Sequence, residues 1–124
     1  MARGSPYALT ITQSQLNIYA ELSTDYNPIH VDPAYAATTP FGDTIAHAPI
    51  PLAILFAELA DVIGDPWLSG IEIEVKFVRP ARCGDTVRSH VTAPTDVDPS
   101  REYEVRVDNQ TGEVLIVGRA TRLR

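Results

Sequence analysis

One cysteine, one lysine and no long apolar run are what first narrow this sequence. Cys83 alone forms no intramolecular disulfide, and such usage fits a reducing compartment. No basic stretch leading into an apolar segment opens the chain, and its longest apolar run is too short for a bilayer. The expected location is therefore the cytoplasm, with no membrane contact. Nine of the ten basic residues are arginines, Lys76 being the exception, and the formal net charge is −6. A surface of that sign excludes nucleic acid as the main partner, because binding a phosphate backbone takes an excess of cations. Also missing are a glycine-rich phosphate loop, internal repeats, low-complexity tracts and linkers. His30, His47 and Asp25 lack a recognisable metal-ligand spacing, so no metal is expected.

What remains is 124 residues, 44% of them hydrophobic, which is one globular domain with one core over 1–124. Residues 1–6 read as a loose terminus. A short strand follows over residues 8–11. Thr12 is placed to cap a helix over 13–22, where Leu16, Tyr19, Ala20 and Leu22 recur at helical spacing as core candidates. Asp32 caps a turn over 33–37, and the loop over 38–43 has Phe41 as its apolar anchor. Residues 51–63 form the most apolar helix, with only Glu58 and Asp61 polar. That composition predicts burial on nearly every face. Downstream, Ile71, Ile73, Val75 and Phe77 alternate with charged residues at period two. Further strands are expected from Val87, around Tyr103, Val105 and Val107, and over 114–121, the last two joined by a hairpin at 109–112. The order predicts an α+β architecture, one long apolar helix wrapped by a curved antiparallel sheet.

The chemistry concentrates in Ser23-Thr24-Asp25-Tyr26-Asn27-Pro28-Ile29-His30. Asn27 suits a helix N-cap, and Pro28 the first helical position, where its missing N–H has no intrahelical partner. Asp25 then sits in a loop and His30 in the first turn of a short helix. Such a turn can aim a carboxylate and an imidazole into one cleft, as a paired acid and base require. A second reading of the same residues stays open, in which Asp25 and Asn27 only cap the helix and His30 lies on the surface. His90 reads as a surface residue with no partner, and Cys83 as a turn residue with no acid–base companion.

Asp25-Tyr26-Asn27-Pro28-Ile29-His30, followed by Asp32, Ala36, Phe41, Ile45-Ala46-His47 and an apolar helix, resembles the MaoC-like enoyl-thioester hydratases of hotdog fold. Phe77-Val78-Arg79-Pro80 and Gly84-Asp85-Thr86-Val87 resemble the strand–turn–strand segment of the same family. The resemblance runs from about Gln13 onward, and its Asp-x-Asn-Pro-Ile-His core is specific. It implies reversible addition of water to a trans-2-enoyl thioester, giving the (R)-3-hydroxyacyl thioester. Asp25 and His30 match the family's catalytic pair. The backbone N–H of Ala48, after His47, matches its thioester-carbonyl donor, and Asn27 matches an asparagine that orients the pair or caps the helix. His47 is a substrate contact or a hydrogen-bonded structural residue. Arg79 and Arg82 are candidates to meet the phosphates or pantetheine of coenzyme A or of an acyl carrier protein. No resident cofactor is implied, since the substrate brings its own thioester arm. The chain departs from the family pattern at Thr24 and Ala48, where glycine is usual, and at Pro49 and Pro51, where apolar residues are usual. An exposed sheet edge and an open tunnel would favour a homodimer, with a heterodimer as the alternative. Competing activities on the same fold are acyl thioester hydrolysis, addition of another nucleophile to the enoyl group, and a noncatalytic subunit role.

Overall fold

Period-two alternation does what it predicts over most of strand β2 (Ile71–Phe77): Ile71, Ile73 and Val75 are half-buried, while Glu72, Glu74 and Lys76 face solvent, but Phe77 at its end is 48% exposed. In chain order the elements are β1 (Ala8–Thr10), α1 (Gln13–Ser23), α2 (Pro28–Val31), α3 (Pro33–Ala36), α4 (Pro49–Ile63), β2, β3 (Thr86–Thr92), β4 (Glu102–Asp108) and β5 (Val114–Arg122). The computed structural model describes residues 7–123; the terminus expected over 1–6 lies outside the described residues. The strands form an antiparallel sheet in the order β1-β3-β4-β5-β2, so β1 and β2 are its edges. The β4–β5 hairpin is closed by Asn109, whose side-chain oxygen accepts from the N–H groups of Thr111 and Glu113. Gly118 lets β5 approach β2 closely. A Cβ there would lie 2.1 Å from the Glu74 carbonyl oxygen.

Helix α4 packs along β3, with contacts to β4 and β1. Pro51, Leu55 and Leu59, four residues apart, form its buried stripe, and Leu55 and Leu59 join Val87, Val105 and Val107 of the sheet in the core. Its two acids are not stranded. Glu58 accepts a 2.6 Å hydrogen bond from the buried Ser89 hydroxyl, and Asp61 accepts one from Tyr7.

Several expectations need correction. The helix was expected to be buried on nearly every face, yet Phe56 and Val62 are 38% and 44% exposed. A single sheet layer covers one side of a helix, and nothing among the described residues covers the other. The helix also begins two residues early, because Pro49 suits its first position and Pro51 loses nothing within the first turn. Leu22 is no core residue. Leu16 and Ala20 lie on the buried side of α1, and two residues further the side chain has swung to solvent, at 78% exposure. Phe41 sits at the surface rather than anchoring its loop. His90 has a partner after all, Asp108 at 3.0 Å, because diagonal neighbours on adjacent strands come within reach.

Candidate active site

The site begins where α1 stops. A reciprocal capping box between Thr12 and Gln15 starts this helix, and Thr24 ends it in the left-handed region at φ 61°. A β-branched residue is crowded there, at a cost of about 1–2 kcal/mol, whereas glycine enters freely. The position at which the resembling family carries glycine is therefore a left-handed turn, and here threonine makes it. The turn delivers Asp25. Ser23 Oγ accepts from the Asp25 N–H at 3.2 Å, and Asp25 Oδ1 accepts from the Asn27 N–H at 3.2 Å. Asn27 then caps α2, its Oδ1 accepting from the Ile29 N–H at 3.1 Å. That bond occupies Asn27, and it is not among the residues lining the cleft.

His30 follows in α2, and its ring orientation is decided from outside the motif. Its Nδ1 lies 2.8 Å from the Ile45 carbonyl oxygen. A carbonyl only accepts, so the proton sits on Nδ1 and the Nε2 of the neutral ring carries a lone pair. That Nε2 lies 3.7 Å from Asp25 Oδ2, with the His30 side chain 13% and the Asp25 side chain 51% exposed. Two acceptors at this separation do not bond each other. A single water about 2.8 Å from each can donate one O–H to Nε2 and the other to Oδ2.

Beneath His30 lies His47, 2% exposed. The two rings are stacked, centroids 3.9 Å apart and planes 23° from parallel. His47 Nε2 donates to the Asp25 backbone carbonyl at 3.1 Å, while its buried Nδ1 has no partner. Tyr19 leans on the same ring, centroids 4.8 Å apart.

One ligand atom from each of Asp25, His30 and His47 falls within 4.8 Å of the others, a cluster that sequence spacing did not disclose. The donor set does not suit a shared ion. Imidazole lone pairs lie in the ring plane, and metal–nitrogen bonds run to about 2.0–2.1 Å. Two nearly parallel planes at the observed stacking distance do not converge on one such point.

These groups open into a cleft of about 570 Å³, whose apolar walls include Pro51, Phe77, Val78, Leu115 and Ile116. Ala48 lines it at the start of α4. The Ile50 N–H bonds to the His47 carbonyl, and Pro49 and Pro51 have none. The Ala48 N–H has no acceptor among the described residues, which leaves it as the open donor of that first turn. Arg79 is also on the cleft wall, 3.7 Å from Glu113. Arg82 is not; it lines a neighbouring basin that shares Arg79, Pro80 and Leu115 with the cleft. Glu113 is held below the usual carboxylate range by its hydrogen bond from Asn109, and further by Arg79, Thr111 and Arg82.

The motif alone did not disclose Tyr19 and Ser23 in the cleft wall, or Gln13 and Thr44 behind it. Gln13 Nε2 donates to the His30 carbonyl at 2.9 Å, and its Oε1 accepts from the buried Thr44 hydroxyl at 2.7 Å. Extending the helical period of α1 by one residue would have placed Ser23 beside Tyr19, four positions back. For Gln13 and Thr44 no sequence signal exists.

Comparison with known proteins bears on the fold and the family. The chain is 36% identical over 116 residues to an (R)-specific enoyl-CoA hydratase of Rhodospirillum rubrum, covering 92% of this chain and 80% of the relative. It is 34% identical over 113 residues to an (R)-specific enoyl-CoA hydratase of Aeromonas caviae, covering 86% and 81%. Its fold matches the unliganded R-hydratase PhaJ1 of Pseudomonas aeruginosa with a TM-score of 0.75 at 30% identity, over 95% of this chain and 79% of that one. The fold is thus a hotdog. The model of the MaoC like domain matches residues 1–114. The chain belongs to the MaoC-like domain family.

Proposed function

We propose that this protein is a hydro-lyase that adds water reversibly across the double bond of a trans-2-enoyl thioester, giving the (R)-3-hydroxyacyl thioester. The observation that carries this reading is the gap between His30 Nε2 and Asp25 Oδ2. Both atoms accept, they face one cleft, and they stand 3.7 Å apart, a separation that holds a water rather than a direct bond. Kinship with two enoyl-CoA hydratases supports it.

In the proposed reaction the pair holds the water and removes one proton as its oxygen bonds to the β-carbon. The double-bond electrons move toward the thioester carbonyl, where the Ala48 N–H stabilises the developing oxyanion. The pair then returns a proton to the α-carbon. One hydroxyl and one hydrogen are added and nothing else is consumed, so the reaction as written needs no resident cofactor. The apolar walls suit the acyl group. Arg79 on the cleft wall and Arg82 in the adjoining basin are our candidates to meet the phosphates of coenzyme A or of a carrier-protein arm. We assign the reaction to the cytoplasm, in keeping with the free Cys83 thiol. No helix among the described residues is long and apolar enough to cross a membrane.

We further propose a homodimer. Edge strand β2, seven residues long, pairs only with β5 among the described residues, and its end, Phe77, joins Val78 and Arg79 in the cleft wall. A second copy paired there would cover the edge and narrow the cleft at once. Light scattering at micromolar concentration should give twice the chain mass; a monomer counts against it, and a gain of mass only with a different chain indicates a heterodimer.

The activity test is mass spectrometry of crotonyl-CoA and longer trans-2-enoyl-CoA substrates after incubation with the protein. Gain of one water on the intact thioester is expected. Free coenzyme A as the sole product would mean a thioesterase, and an unchanged substrate panel would remove the hydratase reading.

A further inference from the structure

His47 is the most buried ionisable side chain of the cleft, yet the proposed reaction gives it no proton to carry. Its surroundings constrain it from three sides. Nε2 faces the carbonyl oxygen of Asp25 itself, at 3.1 Å. One ring face lies against His30, at 3.9 Å between centroids. Tyr19 touches the ring at a tilt of 57°. The fourth side is sealed: Nδ1 is buried and meets no donor or acceptor. Since a carbonyl only accepts, Nε2 must bear the proton, and Nδ1 then carries a lone pair closed off from water. An unpaired buried nitrogen is unfavourable by about 1–3 kcal/mol. Helix packing alone would be served as well by a phenylalanine, which fills similar space without that penalty.

We infer that His47 is a positioning residue for the Asp25–His30 pair, setting the distance between its two members through one imidazole. The inference rests on the hydratase reading for its meaning and goes beyond it in assigning this role. Its Nε2–H fixes the backbone of Asp25, in a loop that begins at the crowded left-handed Thr24. Its ring face is the floor on which His30 lies. The Ile45 carbonyl then fixes the rotation of His30 about that floor by taking Nδ1–H at 2.8 Å. The stacked imidazoles thus hold opposite tautomers, His30 protonated on Nδ1 and His47 on Nε2. Only His30 presents a lone pair toward Asp25. Proton transfer is thereby confined to the pair, and a shift of either member would change the gap that holds the water.

Two arms test this. Long-range proton–nitrogen correlation spectra of the wild-type protein at neutral pH read the tautomers directly, without any activity. The Nε2–H form for His47 and the Nδ1–H form for His30 are expected; His47 protonated on Nδ1 overturns the proposal. The second arm compares His47→Phe, which keeps the flat ring but loses the donor, with His47→Gln, whose amide can return a donor near the Nε2 position. With thermal stability checked, His47→Phe should lower kcat about tenfold or more with KM within about twofold, and His47→Gln should restore kcat to within about threefold of wild type. Equal activity of the Phe variant and wild type, or a folded Gln variant as slow as Phe, overturns it. Should the Phe variant not fold, the tautomer arm decides. A wild-type protein that hydrates no enoyl thioester defeats the hydratase reading while the spectra still judge the positioning role.

Discussion

Gln13 and Thr44, 31 positions apart, are joined by a 2.7 Å hydrogen bond, and the other end of the same Gln13 amide holds the carbonyl of His30 at 2.9 Å. One side chain at the start of α1 thus ties the loop before α4 to the turn that carries the imidazole. Gln13→Ala would leave two part-buried groups short of a partner and is expected to lower unfolding free energy by about 1–3 kcal/mol. Gln13→Glu keeps the acceptor for Thr44 but loses the amide donor, and should fall between. Urea denaturation of the three proteins checks the order.

The proposed catalytic pair, Asp25 and His30, is expected to act as a unit. Asp25→Asn and His30→Ala should each lower kcat for hydration about a hundredfold or more. The double variant should lose far less than the product of the two, since either change alone releases the water. Steady-state kinetics with circular dichroism as a folding control measures this. Near-normal turnover in either folded single variant removes the pair from the mechanism.

Ala48 tests the carbonyl donor. Its φ of −51° needs no glycine, so Ala48→Gly should be tolerated and should speed bulkier substrates by removing a methyl from the cleft wall. Ala48→Pro deletes the N–H, and the neighbouring Pro49 offers no substitute. Hydration should then fall by about two orders of magnitude or more. A proline variant that melts like wild type and still hydrates would mean that another group holds the carbonyl.

Arg82 and Glu113 test the proposed site for the thioester arm. Arg82→Ala should raise KM for an enoyl-CoA about three- to tenfold. It should leave KM for the N-acetylcysteamine thioester, which has no phosphates, unchanged. Glu113→Gln releases Arg79 from its ion pair and should lower KM for the coenzyme A substrate only. Parallel KM values on the two thioesters decide. Equal shifts on both would place the phosphates elsewhere.

Thr24 should be more stable as glycine. The substitution relieves about 1–2 kcal/mol of left-handed crowding and forfeits about 0.5–1 kcal/mol to the freer unfolded chain, a net gain of up to about 1.5 kcal/mol. Thermal unfolding reads it, and a lower midpoint for Thr24→Gly would show that the Thr24 side chain stabilises the turn by more than its strain.

Local chemistry was enough to read the strands, the short helix at Pro28 and the Asp-x-Asn-Pro-Ile-His turn from the sequence alone. Period-two alternation, proline at a helix start and asparagine as a cap act within a few residues, so their signals stand in the linear text. The reach of Asp25 and His30 toward a common cleft was legible for the same reason, since one tight turn carries both. Tertiary structure decided what depends on distant partners. The Ile45 carbonyl selects the tautomer of His30, His47 underlies the pair from the loop just before α4, and Gln13 binds the two loops; none of these pairings leaves a periodic trace. The burial of α4 was misread for the same cause. Composition records how apolar a helix is, but only the position of a single sheet layer determines that Leu55 and Leu59 are buried while Phe56 and Val62 remain open to solvent.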